Sequence, residues 1–295
     1  MSPPPFERIL QQLATHLSRP IQYQSQQRLY GGDINQSFLL KTASNERLFI
    51  KLNKTSRLSM FEAEAAALQE MAHSNTIRVP TPLLANSEGS YAFLVMEYIE
   101  MGGSTQKSEE TLGQQLAAMH QVTRPHFGWN RDNTIGSTPQ LNTESSDWTK
   151  FWRDQRLAPQ LRWASSKGAS STLLNQGEEL LNALDTLLAD HTPTPSLLHG
   201  DLWGGNWSTT QSGEPILYDP ALYYGDRETD LAMTELFGGF SQNFYDAYNE
   251  TWPLNEGYKW RKQLYNLYHI LNHFNLFGGG YGRQATQMIT SLLHR

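Results

Sequence analysis

The stretch from Leu197 to Met233, LLHGDLWGGNWSTTQSGEPILYDPALYYGDRETDLAM, carries His199, Asp201 and Asn206 in the spacing H-x-D-x-x-x-x-N. An apolar triplet, Ile216 to Tyr218, then ends in Asp219. A carboxylate such as Asp201 can orient an acceptor hydroxyl and take its proton. A neutral oxygen ligand a few residues on, Asn206, and a second carboxylate after the next strand, Asp219, suit Mg²⁺ bridged to nucleotide phosphates, because that ion takes hard oxygens and keeps several waters. The chemistry these residues point to is phosphoryl transfer to a hydroxyl. The bland alternative is a loop, a hairpin and some solvated acids, and the upstream chain decides between the two by whether it supplies a nucleotide half.

That half can be traced. Ile21 to Leu40 reads as two strands joined through Gly31-Gly32-Asp33-Ile34-Asn35. Such a turn can lie over phosphates with its N–H groups pointing inward, which makes Gly31 and Gly32 candidate contacts. It departs from the full G-x-G-x-x-G, and alone it reads as a plain hairpin turn. Arg47 to Leu52, RLFIKL, is a short strand that places Lys51 at its end, within reach of α- and β-phosphates. Ser59-Met60-Phe61-Glu62 has the capping-box form and is expected to open a helix to about Met71. Phe61, Glu64, Ala65 and Leu68 then share one face, where a carboxylate is costly without a partner. Glu64 is either a rim acid or the ion-pair partner that positions Lys51.

Tyr91 to Ile99 reads as a buried strand, and its end, Glu97, Tyr98 and Ile99, would offer backbone groups to an adenine edge. The Gly102-Gly103 stretch is the best boundary. It gives a nucleotide-binding lobe over 1–99 and a helical catalytic and substrate lobe over 100–295. Beyond it, Leu112, Leu116 and Met119 form one helix face, and residues 127–142 are loop-like. Asp147 to Ala164, Leu173 to Leu188, 240–251, 257–277 and 283–293 read as helices. Strands come early and helices late, so the class is α+β in two lobes, a small β-rich one and a larger helical one.

Composition narrows the partners. The 295 residues carry a formal charge of −6, which gives no basic footprint for nucleic acid. No apolar run approaches a membrane span, and MSPPPFERIL lacks the basic and apolar regions of a secretory signal. Cysteine is absent, which excludes disulfides, thiol catalysis and Cys-ligated zinc. The expectation is a cytoplasmic protein with no nucleic-acid or membrane partner, acting as a monomer.

The order of glycine turn, Lys51, Glu64, connector, HGDLWGGN and YDP is that of the protein-kinase-like fold. NTIGSTPQ, DWTKFWRDQRLAPQL, HGDLWGGNW, YDPALYYGDRETDLAM and NHFNLFGGGY, with FEAEAAAL and GGDIN upstream, resemble the fructosamine-3-kinases, or ketoamine kinases. The resemblance implies ATP- and Mg²⁺-dependent phosphorylation of the 3-hydroxyl of a ketosamine, a sugar joined to an amine by an Amadori linkage, free or on a protein. In that family the product is unstable and the sugar leaves, so the activity serves deglycation. Matched position by position, it implies Asp201 as base, Asn206 and Asp219 as metal ligands, and Lys51 with Glu64 as the ion pair. It also implies supporting places for His199 and for Asp230, the latter bracing the catalytic loop. Asp230 reads equally as a helix N-terminal acid acting on the dipole. Some relatives carry a cysteine in the glycine turn; here Asp33 follows Gly32, so that redox control is absent and the loop's path is open.

Rival readings remain at this point. A protein kinase is disfavoured by Gly200 and Trp203, which stand where such enzymes place arginine and lysine, and by the short interval from Asp219 to Asp230. An aminoglycoside- or choline-type phosphotransferase shares the core motif. An inactive nucleotide-binding protein is the reading from another class. Trp203 is expected to wall the sugar pocket, or else to be a core tryptophan holding the loop. His273 faces the substrate cleft by resemblance, or else is an ordinary core or surface histidine; with His269 at i, i+4 it could seed a zinc site, which the absence of an accompanying Glu or third ligand disfavours. Asp226 and Glu228 could bias the cleft toward the cationic amine of a ketosamine, or be solvated surface acids.

Overall fold

The computed structural model describes residues 4–30 and 34–295. Its N-terminal part starts with α1 (Phe6–His16) and continues as an antiparallel sheet of β1 (Tyr23–Leu29), β2 (Gln36–Thr42), β3 (Arg47–Lys54), β4 (Pro82–Glu88) and β5 (Tyr91–Glu97), in the order β1-β2-β3-β5-β4. Helix α2 (Leu58–His73) lies between β3 and β4 in the chain. Side chains alternate across a sheet, and that alternation sorts the two faces here. Leu48, Ile50, Leu52, Phe93 and Val95 pack with Ile9, Leu10 and Leu13 of α1. Ala92, Leu94 and Met96 pack with Phe61, Leu68 and Met71 of α2. Lys51, opposite Leu94 in the register, therefore faces α2 and the rest of the molecule.

The expected strands and the reach of α2 are found, but its capping box is not. The helix starts at Leu58 out of a 3₁₀ turn over Thr55–Arg57, and no side chain caps it. Ser59 already lies inside the helix, and the Leu58 N–H is satisfied by the carbonyl of Thr55.

The C-terminal part is mainly helical. It holds β6 (Met101–Gly102), α3 (Gln106–His120), β7 (Asn133–Ile135), β8 (Thr138–Gln140), α4 (Trp148–Phe151), α5 (Ala158–Ser166) and α6 (Ser171–Leu187), with a π-helical turn over Trp152–Leu157. Then come β9 (Ser196–Leu198), β10 (Trp207–Thr210), β11 (Pro215–Leu217), β12 (Tyr223–Gly225), α7 (Glu228–Leu236), α8 (Gln242–Thr251), α9 (Tyr258–Phe277) and α10 (Tyr281–Leu293). The loop-like reading of residues 127–142 is corrected by the β7–β8 hairpin, whose strands are too short to show a period in sequence. Side-chain amides hold it: Asn133 Nδ2 donates to Leu222 O at 2.8 Å and Gln140 Nε2 to Ala221 O at 2.9 Å.

β9 pairs with β12, and β10 with β11 and β6. The chain leaving β9 and the chain leaving β11 thus run side by side, and these are the segments with Asp201 and Asp219. Gly102 is needed where β6 crosses β10, since a Cβ there would come within 2.3 Å of Thr210 O. Among the described residues no helix is long and apolar enough to cross a membrane.

Candidate active site

A cleft of about 710 Å³ opens between the sheet-rich and helical parts, lined by Lys51, Glu64, Asp201, Asn206 and Asp219 among others. Lys51 Nζ lies 2.6 Å from Glu64 Oε1 and 2.5 Å from Asp219 Oδ1. The ion pair expected from the α2 periodicity is present, and a third group joins it. Burial alone would lower the Lys51 pKa, but the two carboxylates outweigh it and hold the ammonium above the ordinary lysine range. Burial pushes the Glu64 carboxyl up against the pull of Lys51. Asp219 remains half-exposed to the cleft and adopts a left-handed backbone, φ 58°, a strained state for a non-glycine residue.

The loop from His199 to Asn206 is fixed from several sides. The His199 ring donates from Nε2 to Tyr218 O at 2.9 Å, so its Nδ1 is the acceptor for the Asp201 N–H at 3.2 Å. One buried imidazole thereby ties the backbone of Asp201 to the residue before Asp219. Burial lowers its pKa, which keeps this neutral form. Asp230, at 1% exposure, accepts from His199 N at 2.7 Å and Gly200 N at 2.8 Å. Gly200 sits at φ 82°, and a Cβ there would come within 2.0 Å of Ala221 O. No side chain fits, which gives a steric reason for glycine between the histidine and the aspartate.

The Asp201 carboxyl is pushed up to about 7 by burial and then by the charge of Asp219, while the Asn206 hydrogen bond opposes. Asn206 spends its Nδ2 on Asp201 O at 2.8 Å and Asp201 Oδ2 at 3.2 Å, which leaves its own Oδ1 as acceptor. That amide oxygen and the Asp219 carboxylate are hard oxygen donors that suit Mg²⁺, and the Lys51 ammonium beside them suits phosphates.

Trp203, 41% exposed, lines the cleft, and its ring covers Gly205, where a Cβ would come within 2.2 Å. His273 also lines it, within an aromatic group formed with Phe237, Phe277 and Tyr281. Its Nδ1 donates to His269 O at 2.8 Å, while His269 itself is buried and pushed down to about 3 by burial and by His273. Glu97 ends β5 and Tyr98 and Ile99 follow it, outside this lining, and the Glu97 carboxylate is taken by Thr81 and Arg78. Gly31 and Gly32 lie outside the described residues.

The expectation for Asp226 and Glu228 is overturned. Both are buried outside the cleft lining, where Asp226 accepts from His191 and Tyr265 and Glu228 is held by Arg261. Neither lines the cleft. Sequence reading also missed the β7–β8 hairpin as a wall, although Asn133 to Ser137 line the cleft.

The family model described as fructosamine kinase matches residues 5–295. The chain belongs to the fructosamine kinase family. It is 45% identical to a Synechocystis protein named "Probable ketoamine kinase", over 99% of this chain and 98% of that protein. It is 42% identical to the chloroplastic protein-ribulosamine 3-kinase of Arabidopsis thaliana, over 89% of this chain and 81% of the relative. The crystal structure titled "Putative fructosamine-3-kinase" from Haemophilus somnus superposes with a TM-score of 0.88 at 31% identity, covering 97% of each chain. Amicoumacin kinase hAmiN, at 15% identity and a TM-score of 0.64 over 98% of this chain and 93% of its own, shares the protein-kinase-like fold alone. The fold class expected from sequence is the one found.

Proposed function

We propose that the protein is an ATP-dependent ketosamine 3-kinase acting in deglycation. The observation that carries this is the convergence of Lys51, Glu64, Asp201, Asn206 and Asp219 on one cleft, in a chain of the fructosamine kinase family. Asp201 is the base. The substrate's 3-hydroxyl oxygen attacks the γ-phosphorus of ATP, its proton passes to the Asp201 carboxylate, and the bond to the β–γ bridging oxygen breaks to release ADP. Lys51, held by Glu64, binds the α- and β-phosphates. Asn206 and Asp219 would hold Mg²⁺, which neutralises the charge of the phosphates when bound. His199 and Asp230 fix the loop that presents Asp201.

Trp203 and His273 wall the sugar and amine side. An indole face suits sugar C–H groups and a cationic amine. Gly31, Gly32 and the backbone of Glu97 to Ile99 complete the nucleotide side, the lobes being 1–99 and 100–295. The acceptor is a free or protein-linked ketosamine, and the enzyme works as a monomer in the cytoplasm. The test is ATP consumption across ketosamines, free ketoses, aminoglycosides and choline, with the product phosphate located by ³¹P–¹H NMR. Turnover confined to ketosamines with phosphate on the 3-oxygen is expected. Equal rates on free ketose, or phosphate on another atom, would place the chain with the sugar or antibiotic phosphotransferases.

A further inference from the structure

His120 ends α3, outside the cleft lining, and is fully buried. It is one of four groups joined in a line behind the catalytic loop. Arg227 Nη1 lies 3.2 Å from Tyr248 Oη, Tyr248 Oη lies 2.8 Å from His120 Nδ1, and His120 Nε2 lies 3.2 Å from Asp230 Oδ2. A guanidinium only donates, so the Tyr248 oxygen accepts from Arg227 and its O–H is left for His120. Nδ1 must then be the acceptor, and the imidazole hydrogen sits on Nε2, directed at Asp230. The hydrogen-bond inventory allows each member one consistent role and strands no donor.

We propose that His120 is a positioning residue for phosphoryl transfer, acting through Asp230 on the loop that carries Asp201. Oδ2 of Asp230 takes both the His120 N–H and the His199 N–H, while Oδ1 takes that of Gly200. Those two peptides frame the left-handed turn at Gly200 that aims Asp201. Without the imidazole, Asp230 keeps its two backbone donors but loses its one side-chain donor, and Oδ2 is left with the His199 N–H alone among these three. Tyr248 comes from α8, which packs on α3 closely enough that a Cβ at Gly113 would meet Phe244 O at 2.4 Å. Arg227 is anchored in turn on the carbonyls of Trp252 and Pro253. The orientation of one carboxylate is thus referred back through three side chains to the helical body.

The inference rests on the assignment of Asp201 as base, so the readouts separate the two. Wild-type turnover on the substrate panel tests the assignment, and if another acceptor is the better one, the variants are measured with it. His120→Leu removes both polar contacts, His120→Gln keeps a donor toward Asp230, and Tyr248→Phe removes the group that selects the tautomer. Expected for His120→Leu is a fall in kcat on the order of ten- to a hundred-fold with KM for ATP within about two-fold, the scale seen when a group orienting a functional residue is lost. His120→Gln should recover most of kcat, and Tyr248→Phe should fall between. Amide hydrogen exchange should quicken at His199 and Gly200 ahead of the global rate, a result independent of any substrate. The proposal is overturned if His120→Gln is as slow as His120→Leu. It is also overturned if folded His120→Leu keeps wild-type kcat, or if exchange rises evenly over the chain. Should His120→Leu not fold, Gln and Phe decide by the same readouts.

Discussion

Two clusters of charged side chains in this chain are built on opposite terms. In the cleft, the carboxylates of Glu64, Asp201 and Asp219 face the single ammonium of Lys51. Outside the cleft lining, Arg261 grips Glu228 through Nε and Nη2 at 2.6 and 2.7 Å, and Asp226 accepts from His191 at 2.5 Å and Tyr265 at 2.6 Å. Burial would raise Asp226, yet these bonds hold it below the usual carboxylate range, whereas Asp201 is pushed up to about 7. Among the described residues, His191, Asp226 and Glu228 are also spaced closely enough to hold a cation, but their oxygens already have donors. Excess carboxylate in the cleft is what the proposed site for a metal ion and phosphates requires. Carboxylates fully supplied with donors mark a structural joint.

Asp201→Asn breaks the cleft's side of the contrast most severely. Proton acceptance is lost while the shape stays, so kcat should fall by about 10²-fold or more with ATP binding near normal. In the wild type, kcat/KM should decline as pH falls below about 7, because the base must be ionised. The stability sign is opposite. A carboxyl raised in the fold costs stability fully above about 7, and the cost fades as pH drops toward the unfolded value near 4. Asp201→Asn should therefore raise Tm at pH 8, by less at pH 5, and lose that advantage by about pH 4. Retained activity, or a Tm gain that does not vary with pH, would remove the residue from this role.

Lys51→Met comes next, with a loss on the order of a hundred-fold. Glu64→Ala should cost less, because Asp219 still holds the ammonium at 2.5 Å. The double variant should be about as slow as Lys51→Met alone. Losses that simply multiply would show the pair does not act as a unit.

Much of this was legible in the sequence, for reasons that mark where legibility stops. The H-x-D-x-x-x-x-N spacing was readable because one loop supplies all three groups, and Glu64 because a charge on an apolar helix face demands a partner. By the same rule His120 could have been found, since Leu112, Leu116 and His120 recur every four residues on the buried face of α3. Asp226 and Glu228 were misread because composition cannot tell an acid turned inward onto Arg261 from one turned outward. The β7–β8 hairpin was missed because its hold comes from Asn133 and Gln140 reaching residues 221–222, far along the chain. Ser59 looked like a cap because the 3₁₀ turn ahead of α2 leaves no mark in residue type.

Trp203→Ala tests the cleft's unpaired, aromatic side. KM for the ketosamine should rise by about ten-fold, with KM for ATP nearly unchanged. Equal rises in both, or a fall in Tm, would make Trp203 a support for the loop, in keeping with its cover over Gly205.

The smallest effect on catalysis belongs to the second cluster, and it sharpens the contrast. Arg261→Met leaves the Glu228 carboxylate buried at 3% exposure without its cation. Removing one member of a buried pair costs about 3–5 kcal/mol, which for a chain of this size lowers Tm on the order of 10 °C. Glu228→Gln in the same background should restore much of that, because the uncompensated charge is gone. In both variants kcat of the folded enzyme should stay within about two-fold of wild type, since neither residue lines the cleft. Glu228 is the first residue of α7 and Asp230 the third, so a shift of the helix start would be felt at the catalytic loop. If Arg261→Met cuts kcat ten-fold at a temperature where it is fully folded, and Glu228→Gln restores the rate, the second cluster is part of the catalytic apparatus and the division between the two clusters fails.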